Sequence, residues 1–135
     1  GELVPPLITS LVTEGSPSAE LHSSLVVDDR DVILNKPRYG AFHGTDLDVI
    51  LGSREIDTVI IAGIHTNICC ETTAREAAQR DFRVFFLSDG TATQDMAGVP
   101  ASDLHKATCA SMGMVFAQLL TVDEMMEKIQ GVIPV

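Results

Sequence analysis

The stretch Thr58-Val59-Ile60-Ile61-Ala62-Gly63-Ile64-His65-Thr66-Asn67-Ile68-Cys69-Cys70-Glu71-Thr72-Thr73-Ala74-Arg75-Glu76-Ala77 decides how this chain folds. Its first seven residues are almost uninterruptedly apolar and rich in β-branched side chains. That pattern predicts a strand covered on both faces, as in a parallel sheet sandwiched by helices. Good helix formers then run from about residue 68 to 80, with Cys70, Ala74, Ala77 and Ala78 on one face. Strand, tight turn and helix together make half of a crossover unit.

The same alternation extends outward in both directions. Asp31-Val32-Ile33-Leu34-Asn35 is predicted as a strand, and residues 45–51 as a helix that Thr45 caps and Gly52 ends. A second fully apolar strand is predicted over 82–87, closed by Ser88-Asp89-Gly90. A helix over about 102–113, a strand over 115–119 and a last helix through Ile129 follow. Thr121-Val122-Asp123-Glu124 opens that last helix as a capping box. Residues 1–24 carry no sustained period: Pro5-Pro6 forbids regular structure, 14–18 is a loop, and Ser18 caps a short helical turn through Leu25. Strands alternating with helices predict an α/β fold, a three-layer Rossmann-like parallel sheet with helices on both faces. No internal repeat or low-complexity segment interrupts it.

At 135 residues and 45% apolar composition the chain suits one domain, 1–135, with a core that needs no disulfide or metal. Nine Lys and Arg against nineteen Asp and Glu give a net charge of -10. Without a clustered basic surface, nucleic acid is not an expected partner. No apolar run approaches the ~20 residues of a membrane span, so no membrane partner is expected either. Three cysteines, two of them adjacent, do not make an extracellular disulfide framework, and a reducing cytoplasm suits them.

In such sheets function collects where strands end and helices begin. A thiol at that junction meets unpaired N–H groups and the positive end of the helix dipole, which favour the nucleophilic thiolate. The same amides can hold the oxyanion formed when a thiolate attacks a carbonyl. Register separates the two candidates: Cys70 shares the apolar stripe, whereas Cys69 falls in line with Thr72, Thr73 and Glu76. Cys69 is therefore the candidate nucleophile and Cys70 a packing residue, although burial of both as small hydrophobes fits the spacing equally well. Lys36, after the predicted 31–35 strand, reaches the same sheet edge if that strand joins the sheet. There its charge would stabilise a thiolate, and an ordinary solvated lysine is the competing reading. Adjacent cysteines plus His65 lack the separated pairs of a zinc site, so neither a metal nor a cofactor is expected.

These segments together resemble the isochorismatase-like cysteine hydrolase superfamily. The pattern is carried by Lys36, Tyr39, Phe42 and Gly44-Thr45-Asp46-Leu47, then Gly63, Thr66, Cys69 and Thr73-Ala74, over roughly residues 15–130. The resemblance implies that Cys69 attacks an amide or carbamoyl carbonyl, expels ammonia or an amine, and leaves a thioester for water. It implies Lys36 as the active-site lysine. It also implies an oxyanion hole from the main-chain amides of His65 and Cys69, with a cis peptide between Ile64 and His65. Tyr39, Phe42, His65, Thr66 and Asn67 are implied as pocket residues, each with a packing or capping alternative. The cysteine points to the amidohydrolase branch, and Lys-Pro-Arg-Tyr with Thr-Asn-Ile-Cys is most similar to ureidoacrylate and N-carbamoylsarcosine amidohydrolases. The expected partner is a small amide or ureido substrate, and the expected assembly a homo-oligomer. A non-catalytic paralogue or structural subunit of the same fold is the alternative.

One departure stands out. The family pattern begins with a strand ending in the Asp that serves as general base, then a helix and a second strand. Leu25-Val26-Val27-Asp28-Asp29 lies only eight residues before Lys36 and is read as a surface turn. Lacking those leading strands, the domain is expected to be N-terminally incomplete, because the sheet would otherwise expose apolar strand edges.

Overall fold

The computed structural model describes residues 12–131. The chain divides into two compact units, one up to Ile33 and one from Leu34 onward. The first holds a short 3-10 turn, Pro17–Ala19, beside which the Ser16 and Ser18 hydroxyls meet at 2.9 Å. It also holds the predicted surface turn at Asp28 and Asp29. The Asp31 amide donates to the Asp28 carbonyl at 3.0 Å, and Arg30 pairs with the Asp28 carboxylate at 3.0 Å.

In the second unit the elements follow as α1 (Leu47–Ser53), β1 (Thr58–Ile64), a π turn (Thr66–Cys70) and α2 (Glu71–Ala78). After them come β2 (Arg83–Ala92), α3 (Ala101–Ser111), a second π turn (Met112–Phe116), β3 (Gln118–Leu120) and α4 (Val122–Ile129). The three strands form one parallel sheet in the order β1-β2-β3.

Successive side chains of a strand leave on opposite faces, so β2 builds two cores. Val84 and Phe86 join Ile61, Cys70, Ala74, Ala77, Cys109 and Met112 on one face. Phe85 and Leu87 meet Met125 of α4 on the other. Helices therefore cover both faces of β2, and the three-layer α/β expectation holds.

Four expectations about the strands need correction. Residues 31–35 form no strand: β1 pairs only with β2 among the described residues, and Val32 and Ile33 stay exposed. Without a partner backbone, β-branched composition alone makes no strand. β1 is not covered on both sides, for Ile60 and Ile64 share an exposed face while Ile61 alone of the strand is buried. Ser88-Asp89-Gly90 does not end β2. The turn is contained within the strand: register with β1 jumps between Ile61↔Phe86 and Gly63↔Thr91, and the Thr91 hydroxyl returns to the Leu87 carbonyl at 3.0 Å. Finally, the second π turn takes residues 112–116, which shortens the last strand to Gln118–Leu120.

The predicted cap of the last helix is present, whereas Ser18 caps no helical turn through Leu25: it lies inside the 3-10 turn Pro17–Ala19, which Ser16 precedes. α4 opens on a full capping box, with the Glu124 amide donating to Thr121 Oγ1 at 3.2 Å and the Thr121 amide to the Glu124 carboxylate at 2.7 Å. Asp89, in the turn inside β2, accepts the next amide, that of Val122, at 2.7 Å. At α1 the N-cap position falls to Asp46, whose side chain makes no capping bond; the Thr45 hydroxyl still accepts the Leu47 amide at 3.3 Å and donates to the Ala41 carbonyl.

Candidate active site

The chain leaves β1 through a glycine whose backbone only glycine adopts comfortably: Gly63 has φ +119°. The Ile64–His65 peptide bond is cis, the position that the family resemblance implies. The π turn then winds on the His65 carbonyl, which accepts the amides of both Ile68 and Cys70. This tightening separates two adjacent cysteines. Cys70 is 4% exposed and packs with Ala74 and Ala77 beneath the sheet, whereas Cys69 stays partly accessible. Both precede α2, so Cys69 lies in the π turn instead of the first α-helical turn.

Burial, the largest influence, together with the neighbouring Cys69 charge, pushes the Cys70 thiol up to about 11; the Lys36 ammonium pulls the other way. A thiol held that high is protonated at neutral pH and unreactive. Lys36 is exposed, and its ammonium donates to the carbonyls of Arg38 and Tyr39 at 3.0 and 2.9 Å. The loop it organises docks on α2. The Ala41 amide donates to Thr73 Oγ1 at 3.1 Å and the Phe42 amide to the Glu76 carboxylate at 3.1 Å.

The side chains implied as pocket lining have varied fates. Tyr39 is exposed. Phe42 is a core residue, 5% exposed, with its ring tilted on Phe82 and the Arg80 guanidinium 4.8 Å above it; packing claims the ring. Thr66 is fully buried, and its hydroxyl meets His105 Nδ1 at 2.9 Å. Asn67 accepts from the Thr93 hydroxyl at 2.6 Å and donates weakly to Met96 Sδ at 3.6 Å, which ties the turn to the segment after β2. His65 Nδ1 is buried and finds no hydrogen-bond partner among the described residues.

Sequence reasoning passed over His105. It joins the turn to α3, with Nε2 3.4 Å from Cys109 Sγ while Nδ1 faces Thr66. The i,i+4 spacing of His105 and Cys109 was the available signal; the contact with Thr66, 39 residues away, had none. Burial pushes the Cys109 thiol up as well. Among the described residues no three His, Cys, Asp or Glu side chains converge as metal ligands would.

A parallel sheet flanked by helices, with a thiol in the turn that leaves a strand's carboxyl end, is thus the class of structure in hand. A family model described as Isochorismatase domain matches residues 7–124, and the chain belongs to that family. It is 35% identical over 123 residues to "Nicotinamidase 3" of Arabidopsis thaliana, covering 90% of this chain and 59% of that protein. It is 36% identical over 108 residues to "Ureidoacrylate amidohydrolase RutB" of Methylobacterium radiotolerans, covering 80% and 40% respectively. Among solved structures, a cysteine hydrolase from Pseudomonas syringae pv. phaseolicola superposes with a TM-score of 0.89 at 32% identity, covering 95% of this chain and 62% of that one. The chain therefore spans about three-fifths or less of the length of these relatives. No helix among the described residues is long and apolar enough to cross a membrane.

Proposed function

We propose that the protein is a cysteine-dependent hydrolase that cleaves the C–N bond of a small amide, carbamoyl or ureido compound. The observation that carries this reading is the division of labour between adjacent thiols. Cys70 is packed and held protonated, while Cys69 stays accessible in the turn between β1 and α2. In this mechanism the Cys69 thiolate forms a bond to the carbonyl carbon. The resulting oxyanion is held by the main-chain amides of His65 and Cys69. Collapse breaks the C–N bond, the nitrogen leaves as ammonia or an amine with the proton that Cys69 gave up, and water hydrolyses the thioester. The proton carrier would be the Asp that the family resemblance implies; Asp28 and Asp29 lie in an exposed turn and not at the end of a strand.

Lys36 contributes positive charge near the thiols, and Tyr39, Thr66 and Asn67 shape the surroundings. The buried, unpartnered His65 Nδ1 supports this placement. Leaving such an atom unpaired costs about 1–3 kcal/mol, and a bound ligand or water can satisfy it. The names of the relatives, a nicotinamidase and a ureidoacrylate amidohydrolase, support amide-type substrates. Three free cysteines fit a reducing cytoplasm, and self-association is our expectation for the assembly.

The test is ammonia release from a panel of primary amides and ureido acids. Cys69→Ala should lower turnover by about 10³-fold or more, whereas Cys70→Ala should leave most of it. Iodoacetamide should label Cys69 faster than a free thiol at neutral pH. If neither turnover nor enhanced labelling is found, the non-catalytic paralogue is the correct reading.

A further inference from the structure

The Thr73 hydroxyl has an unusual pair of partners. It donates to the Cys69 carbonyl at 2.8 Å, the backward bond that a helical threonine often makes. It also accepts the Ala41 amide at 3.1 Å, from a residue 32 positions earlier in the chain. One hydroxyl carries one proton and two lone pairs, so both bonds can exist together. Three residues further along α2, the Glu76 carboxylate accepts the Phe42 amide. That carboxylate also fills the space which a Cβ on Gly40 would need. Two consecutive amides of the lysine loop are thus fastened to the helix that continues from the thiol turn.

The loop itself is closed by Lys36, whose ammonium binds the Arg38 and Tyr39 carbonyls immediately before Gly40. A continuous path of bonds therefore runs from the ammonium through its own loop to Thr73, and from Thr73 to the backbone of Cys69. Chain connectivity does not supply this link, for Lys36 and Cys69 are separated by α1 and β1.

We infer that Thr73 is a positioning residue that fixes the Lys36 loop against the Cys69 turn, so that the lysine charge stays within reach of the thiol. The inference rests on the proposed hydrolase chemistry, in which Cys69 acts as a thiolate. Thr73 touches no substrate in this scheme; it acts through the lysine.

The experiment measures carboxamidomethylation of Cys69 by iodoacetamide at neutral pH, resolved by fragmentation mass spectrometry, in the full chain. Thr73→Val should slow labelling about tenfold, the order expected when a thiolate loses a nearby cation. Thr73→Ser, which keeps the hydroxyl, should restore the rate to within about twofold. Lys36→Met should slow labelling comparably, and adding Thr73→Val to Lys36→Met should slow it no further. Should Thr73→Val fail to fold, Thr73→Ala serves instead, since alanine suits a helix. A fast wild-type Cys69 unaffected by loss of the hydroxyl, or additive effects in the double variant, overturns this inference alone. A wild-type Cys69 no faster than free thiol overturns the proposed function and the inference with it.

Discussion

Cys69 and Cys70 differ by one position and by their burial. A turn that points one thiol outward must send its neighbour elsewhere, and here the neighbour enters the sheet–helix core. Burial raises the Cys70 pKa to about 11, above its value in an unfolded chain. The unfolded chain therefore releases this proton first as pH rises. Stability is full below about pH 9 and falls as pH climbs through 11. Thermal melts between pH 8 and 11 should show a declining Tm, and Cys70→Ala should flatten that decline while lowering Tm at neutral pH. Helical spacing separates the two thiols by burial, because Cys70, Ala74 and Ala77 repeat on one face. The hydrogen bonds of Thr66 and Asn67 had no such signature: their partners, His105 and Thr93, are distant in sequence.

At the scale of elements, periodicity located β1, β2, α2, α3 and α4, and capping chemistry fixed the start of α4. The Thr121–Glu124 box satisfies amides that would otherwise be orphaned. Thr121→Ala should cost about 1 kcal/mol in a urea melt, with little effect on labelling of Cys69. The failures share a cause. Residues 31–35 have strand composition but join no strand ladder among the described residues, and Ser88-Asp89-Gly90 has turn composition inside a strand that resumes pairing with β1 at Thr91. Local sequence reports what a segment tolerates; pairing reports what it does. β1 itself offers a direct comparison. Ile61→Ala should cost about 2–5 kcal/mol as a buried truncation. Ile64→Thr, at a side chain 66% exposed, should stay within about 0.5 kcal/mol, both read by urea denaturation.

Across the whole molecule, β2 is the shared wall. Its alternating residues supply one core under α2 and α3 and another under α4. Phe86 has no exposed surface and stands opposite Ile61 of β1 and Leu119 of β3. Phe86→Ala should cost about 3–5 kcal/mol, a large part of the stability of a domain this size, and urea midpoints should show it. The amino-acid sequence by itself determined the α/β alternation, the strand–turn–helix that carries the adjacent thiols, and the burial of Cys70 in preference to Cys69. Each of these depends on periodicities of two and 3.6 residues, which are written locally. Only the tertiary structure decided that Phe42 serves the core, that β1 keeps an open face, and that Thr73 joins the lysine loop to the cysteine turn. Those outcomes depend on contacts between residues some 20 to 40 positions apart, and the burial that selects among them exists only once the chain has closed on itself.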